Sequence, residues 1–115
     1  MTGNTIFDKI LRGEIPSDKV YENDSVFSFR DINPQAPTHV LVIPKKAIVD
    51  FSGLKGWNSQ DVGNFFKGVA ETAAVLGLEE GGYRVVLNNG KAAGQDVPYL
   101  HAHILSGRKL TWPPG

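Results

Sequence analysis

The 115-residue sequence has no cysteine, no excess of either charge and no long apolar run. The absence of cysteine excludes disulfides, thiolate metal sites and a cysteine nucleophile. Because 12 basic residues balance 12 acidic ones, the composition predicts no partner among nucleic acids or membrane surfaces. The first residues also lack the basic-then-apolar pattern of a secretory signal. We therefore expect a cytoplasmic protein whose single domain, residues 1–115, forms one core.

Apolar periodicity predicts two helices separated by strands. The first helix runs from a cap at Asn4 or Thr5 to about Arg12, and the second covers residues 58–76. Strands are predicted at residues 19–22, 26–30, 38–45, 83–88 and 99–105. Residues 47–57 are predicted to form a loop that has room for one helical turn. This order of elements is typical of an α+β domain with an antiparallel sheet.

The second helix has an apolar stripe at helical spacing. Its members are Val62, Phe65, Phe66, Val69, Ala73 and Leu76, and all are expected to face the core. Gly63 and Gly68 each weaken such a helix by roughly 1 kcal/mol relative to alanine, so packing must hold it together.

The stretch from Gly94 to Leu105 carries the residues best suited to chemistry. In a strand, Leu100, Ala102 and Ile104 share one face and bury, while Tyr99, His101 and His103 share the other. The two imidazoles then lie about 6 to 7 Å apart along the strand.

The residues alone leave three roles open for His101 and His103. They could bind a metal, but Asp96 and His39, the nearby candidates for further ligands, form no recognisable ligand spacing. They could act as nucleophile and proton donor around a phosphorus or acyl centre. They could also be ordinary strand histidines that bond to backbone or water. The nearby sequence GKAAG, residues 90–94, is a weak candidate for a phosphate loop and is more typical of a hairpin turn.

Several longer motifs carry a resemblance to a known family. The strings NTIFDKILRGEIPS, FRDINPQAPTHVLVIPKK, YRVVLNNG, GQDVPYLHAHIL and WPPG closely resemble the histidine-triad (HIT) superfamily, and within it the histidine-triad nucleotide-binding branch. The resemblance covers residues 4–115. It implies a five-stranded antiparallel sheet with two helices, continued across a homodimer.

The resemblance also implies an activity. Members of this branch are purine nucleoside phosphoramidases and aminoacyl-adenylate hydrolases that use neither metal nor cofactor. The expected ligand is therefore a purine nucleotide such as AMP, and the reaction proceeds through a nucleotidyl-histidine intermediate. Matched on the motif, His101 is the nucleophile, His103 contacts the phosphate or the leaving group, and His39 is an additional active-site histidine.

Other matched positions imply a binding site. Asp31 matches the carboxylate that binds the ribose hydroxyls, and Asn88 and Gln95 match polar residues near the phosphate and ribose. Ile6, Phe7, Ile10, Phe29 and Ile32 match the walls of the purine pocket, and Leu41, Gly94, Asp96 and Val97 complete the expected substrate-binding set. Trp112 would be offered to the partner subunit.

Two positions at the expected chemistry depart from the family pattern. Tyr99 occupies the first triad position, which is usually histidine, and Asp96 stands where relatives often carry serine. A tyrosine does not cycle a proton at neutral pH, and a carboxylate repels phosphate, so both changes could slow the reaction. The alternative is therefore a nucleotide-binding dimer with weakened catalysis that acts as a protein-interaction module.

Overall fold

A computed structural model describes residues 3–115, and it has an α+β architecture. The helices are α1 (Ile6–Leu11) and α2 (Ser59–Val75), and short 3₁₀ turns cover Phe51–Gly56 and Lys91–Ala93. The strands are β1 (Lys19–Glu22), β2 (Val26–Arg30), β3 (Thr38–Pro44), β4 (Arg84–Val86) and β5 (Ala102–Ser106). They form one antiparallel sheet in the order β1-β2-β3-β5-β4. The predicted fold class is confirmed.

The sheet separates two hydrophobic clusters, where one core was expected. The larger cluster, which includes α2, has as its buried members Val26, Val40, Val42, Leu54, Phe65, Val69, Ala73, Leu100, Ala102 and Ile104. The smaller cluster, which includes α1, consists of Phe7, Ile10, Phe29, Leu41, Ile43 and Tyr99. Because side chains alternate along a strand, β3 supplies residues to both clusters. The smaller cluster forms the floor of the site described below.

Helix α1 begins and ends as its sequence predicts. The Thr5 hydroxyl accepts a hydrogen bond from the Asp8 amide, and the Asp8 carboxylate accepts one from the Thr5 amide, which completes a capping box. Gly13 follows with a φ of +77°, a conformation that glycine adopts without strain. The cap holds a helix of only 6 residues, which would not be stable in isolation.

Helix α2 lies close to the sheet because of a glycine. A Cβ on Gly68 would lie 2.5 Å from Cγ1 of Val26, so this residue permits the helix to contact β2, whereas nothing lies within 4 Å of a Cβ on Gly63. The buried positions of α2 include Phe65, Val69 and Ala73. The expectation that Phe66 faces the core is wrong, since it is 37% exposed at the edge of the apolar stripe.

The strands flanking the site differ in length from their predictions. β3 is buried along nearly its whole length and pairs with β2 and β5, as expected of a central strand. β4 is shorter than predicted, because the chain leaves the sheet after Val86. The GKAAG segment then forms a 3₁₀ turn, in which the Gly94 amide donates to the Lys91 carbonyl. In the described part of the chain no helix is both long and apolar enough to cross a bilayer.

Candidate active site

Two neighbouring strands bring the three histidines together. In the antiparallel register of β3 and β5, Leu41 lies opposite His103 and His39 lies opposite Leu105. His101 immediately precedes β5, and its ring centroid is 5.0 Å from that of His103. The ring centroids of His39 and His103 are 5.1 Å apart. Residues 64 positions apart in the sequence thus form one cluster.

Hydrogen bonds determine which nitrogens of His39 and His103 carry protons. The backbone amide of Gln35 donates to Nδ1 of His39 at 3.0 Å, so the proton of the neutral His39 ring is on Nε2. That Nε2 lies 2.9 Å from Nδ1 of His103, which must accept. The neutral His103 ring therefore carries its own proton on Nε2, where it is available as a donor.

His101 has the opposite arrangement. Its Nδ1 lies 2.7 Å from the backbone carbonyl of Tyr99, which can only accept, so Nδ1 carries the proton. In the neutral ring Nε2 is then an unprotonated nitrogen with a free lone pair. Phe7 holds the ring from one side, edge to face, at a centroid distance of 5.0 Å. The site therefore offers a nucleophilic nitrogen on His101 and a proton donor on His103.

Burial favours the neutral forms of His39 and His103. The pKa of His103 is lowered to about 4, first by burial and then by the positive charges that His101 and His39 would carry. The carboxylates of Asp31 and Asp96 oppose this shift. Burial also lowers the pKa of His39, against the influence of Asp31. The contact of 3.4 Å between His39 Nε2 and Asp31 is consequently a dipolar contact at neutral pH rather than an ion pair.

The histidines lie at one side of a cavity of about 490 Å³, a volume in the range of small-molecule sites. Twelve of the residues expected at the site line it: Ile6, Phe7, Ile10, Phe29, Asp31, Ile32, His39, Leu41, Asp96, Val97, His101 and His103. Ile32 is 97% exposed at the rim, whereas Phe7 and Phe29 are buried in the floor. The cavity thus combines apolar walls with a polar end.

Four expected residues lie away from the lining of this cavity. They are Asn88, Gly94, Gln95 and Trp112. The Gln95 amide accepts from the Gly90 amide and donates to the carbonyls of Val49 and Val97, so it stabilises the loop that precedes β5. Trp112 is 81% exposed in the C-terminal segment. Their roles toward a ligand stay predictions.

Tyr99 also lies outside the cavity lining, although it stands only two residues before His101. Its side chain is buried in the smaller cluster, and its hydroxyl donates to the carbonyl of Pro44 at the end of β3. Burial raises its pKa above the ordinary value for a phenol. Tyr99 therefore contributes to the site through its backbone carbonyl, which orients His101.

Sequence reasoning missed further residues of the lining. They are Ile15, Pro16, Ser17, Arg30, Asn33 and Gln35. Gln35 matters most, because its backbone amide sets the tautomer of His39. Its position between Pro34 and Pro37 could have indicated a role at the site, because prolines restrict a loop to few conformations.

Three side chains of the site could also hold a metal ion. The potential ligand atoms of Asp31, His39 and His103 lie within 4.8 Å of one another. A tetrahedral zinc ion with bonds of about 2.05 Å separates its ligands by about 3.3 Å. The nitrogens of His39 and His103 are 2.9 Å apart and share a proton, so a metal would have to displace that proton and part the rings. The donor set fits zinc in type, but its present geometry is that of a hydrogen bond.

Comparisons with known proteins identify similar sequences. The sequence model of the HIT domain family matches residues 12–110. The chain is 44% identical over 110 residues to a purine nucleoside phosphoramidase of Escherichia coli K12, covering 96% of this chain and 92% of that protein. It is 46% identical over 113 residues to a 14 kDa zinc-binding protein of Zea mays, with 96% and 88% covered.

A solved structure shows the same architecture. The crystal structure of a HIT family hydrolase from Legionella pneumophila Philadelphia 1 superposes with a TM-score of 0.91 at 45% identity, covering 97% of this chain and 100% of that one. The match of the family model spans most of the sequence and includes His39, His101 and His103. The chain therefore belongs to the HIT domain family.

Proposed function

We propose that this protein is a purine nucleoside 5′-phosphoramidase or adenylate hydrolase of the nucleotide-binding branch, in which His101 attacks the α-phosphorus. The observation that carries the proposal is the set of three hydrogen bonds that leaves Nε2 of His101 unprotonated and Nε2 of His103 protonated. Nucleophile and proton donor face one cavity with apolar walls. The phosphoramidase from Escherichia coli supports the substrate class.

The reaction has two steps. In the first, Nε2 of His101 forms a bond to phosphorus and the P–N bond breaks, with its electron pair left on the amine. The amine takes up a proton that His103 delivers from solvent. In the second step water attacks the phosphorus and the bond between phosphorus and Nε2 of His101 breaks, which releases AMP and the neutral His101. The proton lost by the attacking water passes to solvent. Splitting one displacement into two makes each step easier.

The cavity supplies the binding surface for the nucleotide. Phe7 and Phe29 are edge-to-face at 5.7 Å in its floor, and Ile32 projects at its rim, so a purine would lie between apolar side chains. The carboxylate of Asp31 is 19% exposed near His39, within reach of ribose hydroxyls. This arrangement leaves the phosphate at the histidines.

We also propose a homodimer in which Trp112 reaches the partner's site. β4 lies at an edge of the sheet, with Tyr83 and Val85 partly exposed. The guanidinium of Arg84 donates to the carbonyls of Leu110 and Thr111, which holds the C-terminal segment against β4. Trp112 is thereby presented outward. Light scattering should give twice the chain mass, and Trp112→Ala should raise KM while the protein stays dimeric.

The experiment that tests the activity is release of AMP from adenosine 5′-phosphoramidate in EDTA. We expect turnover by the wild type and a loss on the order of 10³-fold or more in His101→Ala, with circular dichroism unchanged. Rapid acid-free quenching and mass spectrometry should find an adenylyl adduct on His101 alone. Full activity in His101→Ala would contradict the mechanism.

The EDTA condition also tests the alternative of a metal-dependent enzyme. Two observations favour that alternative: the group formed by Asp31, His39 and His103, and the name of the maize relative. A zinc ion there would occupy the nitrogens through which His39 and His103 share a proton. We therefore expect added Zn²⁺ to inhibit turnover. Loss of activity in EDTA with recovery on adding Zn²⁺ would instead make the protein a metal-dependent hydrolase.

A further inference from the structure

Asp96 places a carboxylate at the mouth of the cavity, beside the histidines. It is exposed and lines the cavity together with His101 and His103. It also borders a second, shallow depression of about 420 Å³, whose other lining residues are Asn4, Thr5, Ile6, Val97 and Pro98. Asp96, Ile6 and Val97 belong to both, so the depression adjoins the cavity along these three residues.

Among residues 3–115, no lysine or arginine forms an ion pair with Asp96. Arg30, the basic residue of the cavity lining, lies 3.6 Å from Asp18. The other carboxylate of the cavity, Asp31, accepts a hydrogen bond from the Asn33 amide and contacts His39. Asp31 is partly buried beside His39, whereas Asp96 is exposed.

A carboxylate at this place has a consequence for the substrate. It repels the phosphate anion at the histidines, and the repulsion is common to every nucleotide substrate. A positive charge on the leaving group, lying in the depression, would be attracted to the same carboxylate, whereas a negative one would be repelled. At about 6 Å in a partly solvated site, one such interaction changes a rate by roughly threefold to tenfold.

We propose that the depression beside Asp96 is the subsite for the leaving group and that Asp96 selects leaving groups that carry a protonated amine. The preferred substrates are then nucleoside phosphoramidates of diamines or of amino compounds with a free ammonium group. The same carboxylate would attract the free ammonium group of an aminoacyl adenylate. This inference rests on the proposed function and specifies the substrate class of the same site.

The test compares two adenosine 5′-phosphoramidates with leaving groups of equal size. One carries 1,2-diaminoethane, which is protonated at its free end at neutral pH, and the other carries propylamine. In the wild type we expect kcat/KM to be higher for the diamine, because its ammonium group both makes the departing nitrogen less basic and is attracted to Asp96, with the ratio falling as salt is added. In Asp96→Asn, which keeps the shape of the side chain, the ratio should fall about threefold to tenfold, to the value set by the two amines alone.

A matched control removes a charge elsewhere. Glu79→Gln changes an exposed residue that follows α2, outside both the cavity and the depression, and should leave the ratio as in the wild type. Equal rates for the two substrates in the wild type would overturn the subsite, and so would a ratio that is unchanged in Asp96→Asn. In either case AMP release would still support the proposed function. Release of AMP from neither substrate would reject both.

Discussion

His39 on β3 and His103 on β5 share a hydrogen bond of 2.9 Å, and its direction is set from outside the pair. The backbone amide of Gln35 donates to the far side of His39, so His39 must donate to His103. Consequently His103 presents a protonated Nε2, although neither strand contains the residue that determines it. A loop with a proline at each end thus controls the proton donor of the site.

This relation, together with the hydrogen bond from His101 to the Tyr99 carbonyl, predicts the tautomers of all three histidines. In ¹⁵N spectra of the imidazoles at pH 7.5, His39 and His103 should show protonated Nε2, and His101 should show protonated Nδ1. His39→Gln keeps an amide donor toward His103 and should retain kcat/KM within about tenfold, whereas His39→Leu should lose on the order of 100-fold. Equal activity of the two variants would contradict the relay.

Stability should depend on pH through His103. Its pKa is about 4 in the folded protein, below the 6.5 of an ordinary histidine, so the unfolded chain binds a proton that the folded one rejects. The contribution is present above pH 6.5 and is lost as the pH falls toward 4. Allowing for partial exposure, we expect a loss of roughly 2 kcal/mol in the free energy of unfolding.

Denaturant titrations at pH 7.5 and 4.5 measure this effect. Because carboxylates also titrate in that range, the comparison is with His103→Asn, in which the loss should be smaller by the amount due to the histidine. The same loss in both proteins would show that His103 is readily protonated in the folded state.

The Tyr99 hydroxyl should matter for stability and not for chemistry. Tyr99→Phe leaves the buried Pro44 carbonyl without its donor and should cost about 1 to 3 kcal/mol, with kcat nearly unchanged because the backbone carbonyl still orients His101. Tyr99→His should likewise raise turnover little, since the side chain lies away from the cavity. A strong rise in turnover would mean that tyrosine at this position impairs the site.

Two glycines of α2 should respond oppositely to alanine. Gly68→Ala forces a methyl group to within 2.5 Å of Val26, so the helix must move from the sheet and the free energy of unfolding should fall by about 1 to 3 kcal/mol. At Gly63 nothing lies within 4 Å, and alanine should stabilise the protein by up to about 1 kcal/mol. Thermal unfolding of the two variants measures the difference, and a common sign would contradict the packing.

Much of the fold was predictable because its signals are local. The helices have caps and apolar stripes, as at Thr5 and Asn58, and the strands have alternating apolar residues, so their positions follow from neighbouring residues. The exposure of Phe66 was not predictable, since a residue at the edge of a stripe is covered or uncovered by distant parts of the chain. The division into two clusters follows from the sheet, which forms only in three dimensions.

The candidate site was likewise predictable only in part. By itself the sequence determined that His39, His101 and His103 are present, and its ordered motifs assigned them to one site through the family resemblance. Only the tertiary structure decided which nitrogen of each ring carries a proton and where the Tyr99 side chain lies. It also decided which carboxylate borders the leaving-group depression. Those properties depend on contacts between residues far apart in the chain, which strand register and loop conformation create together.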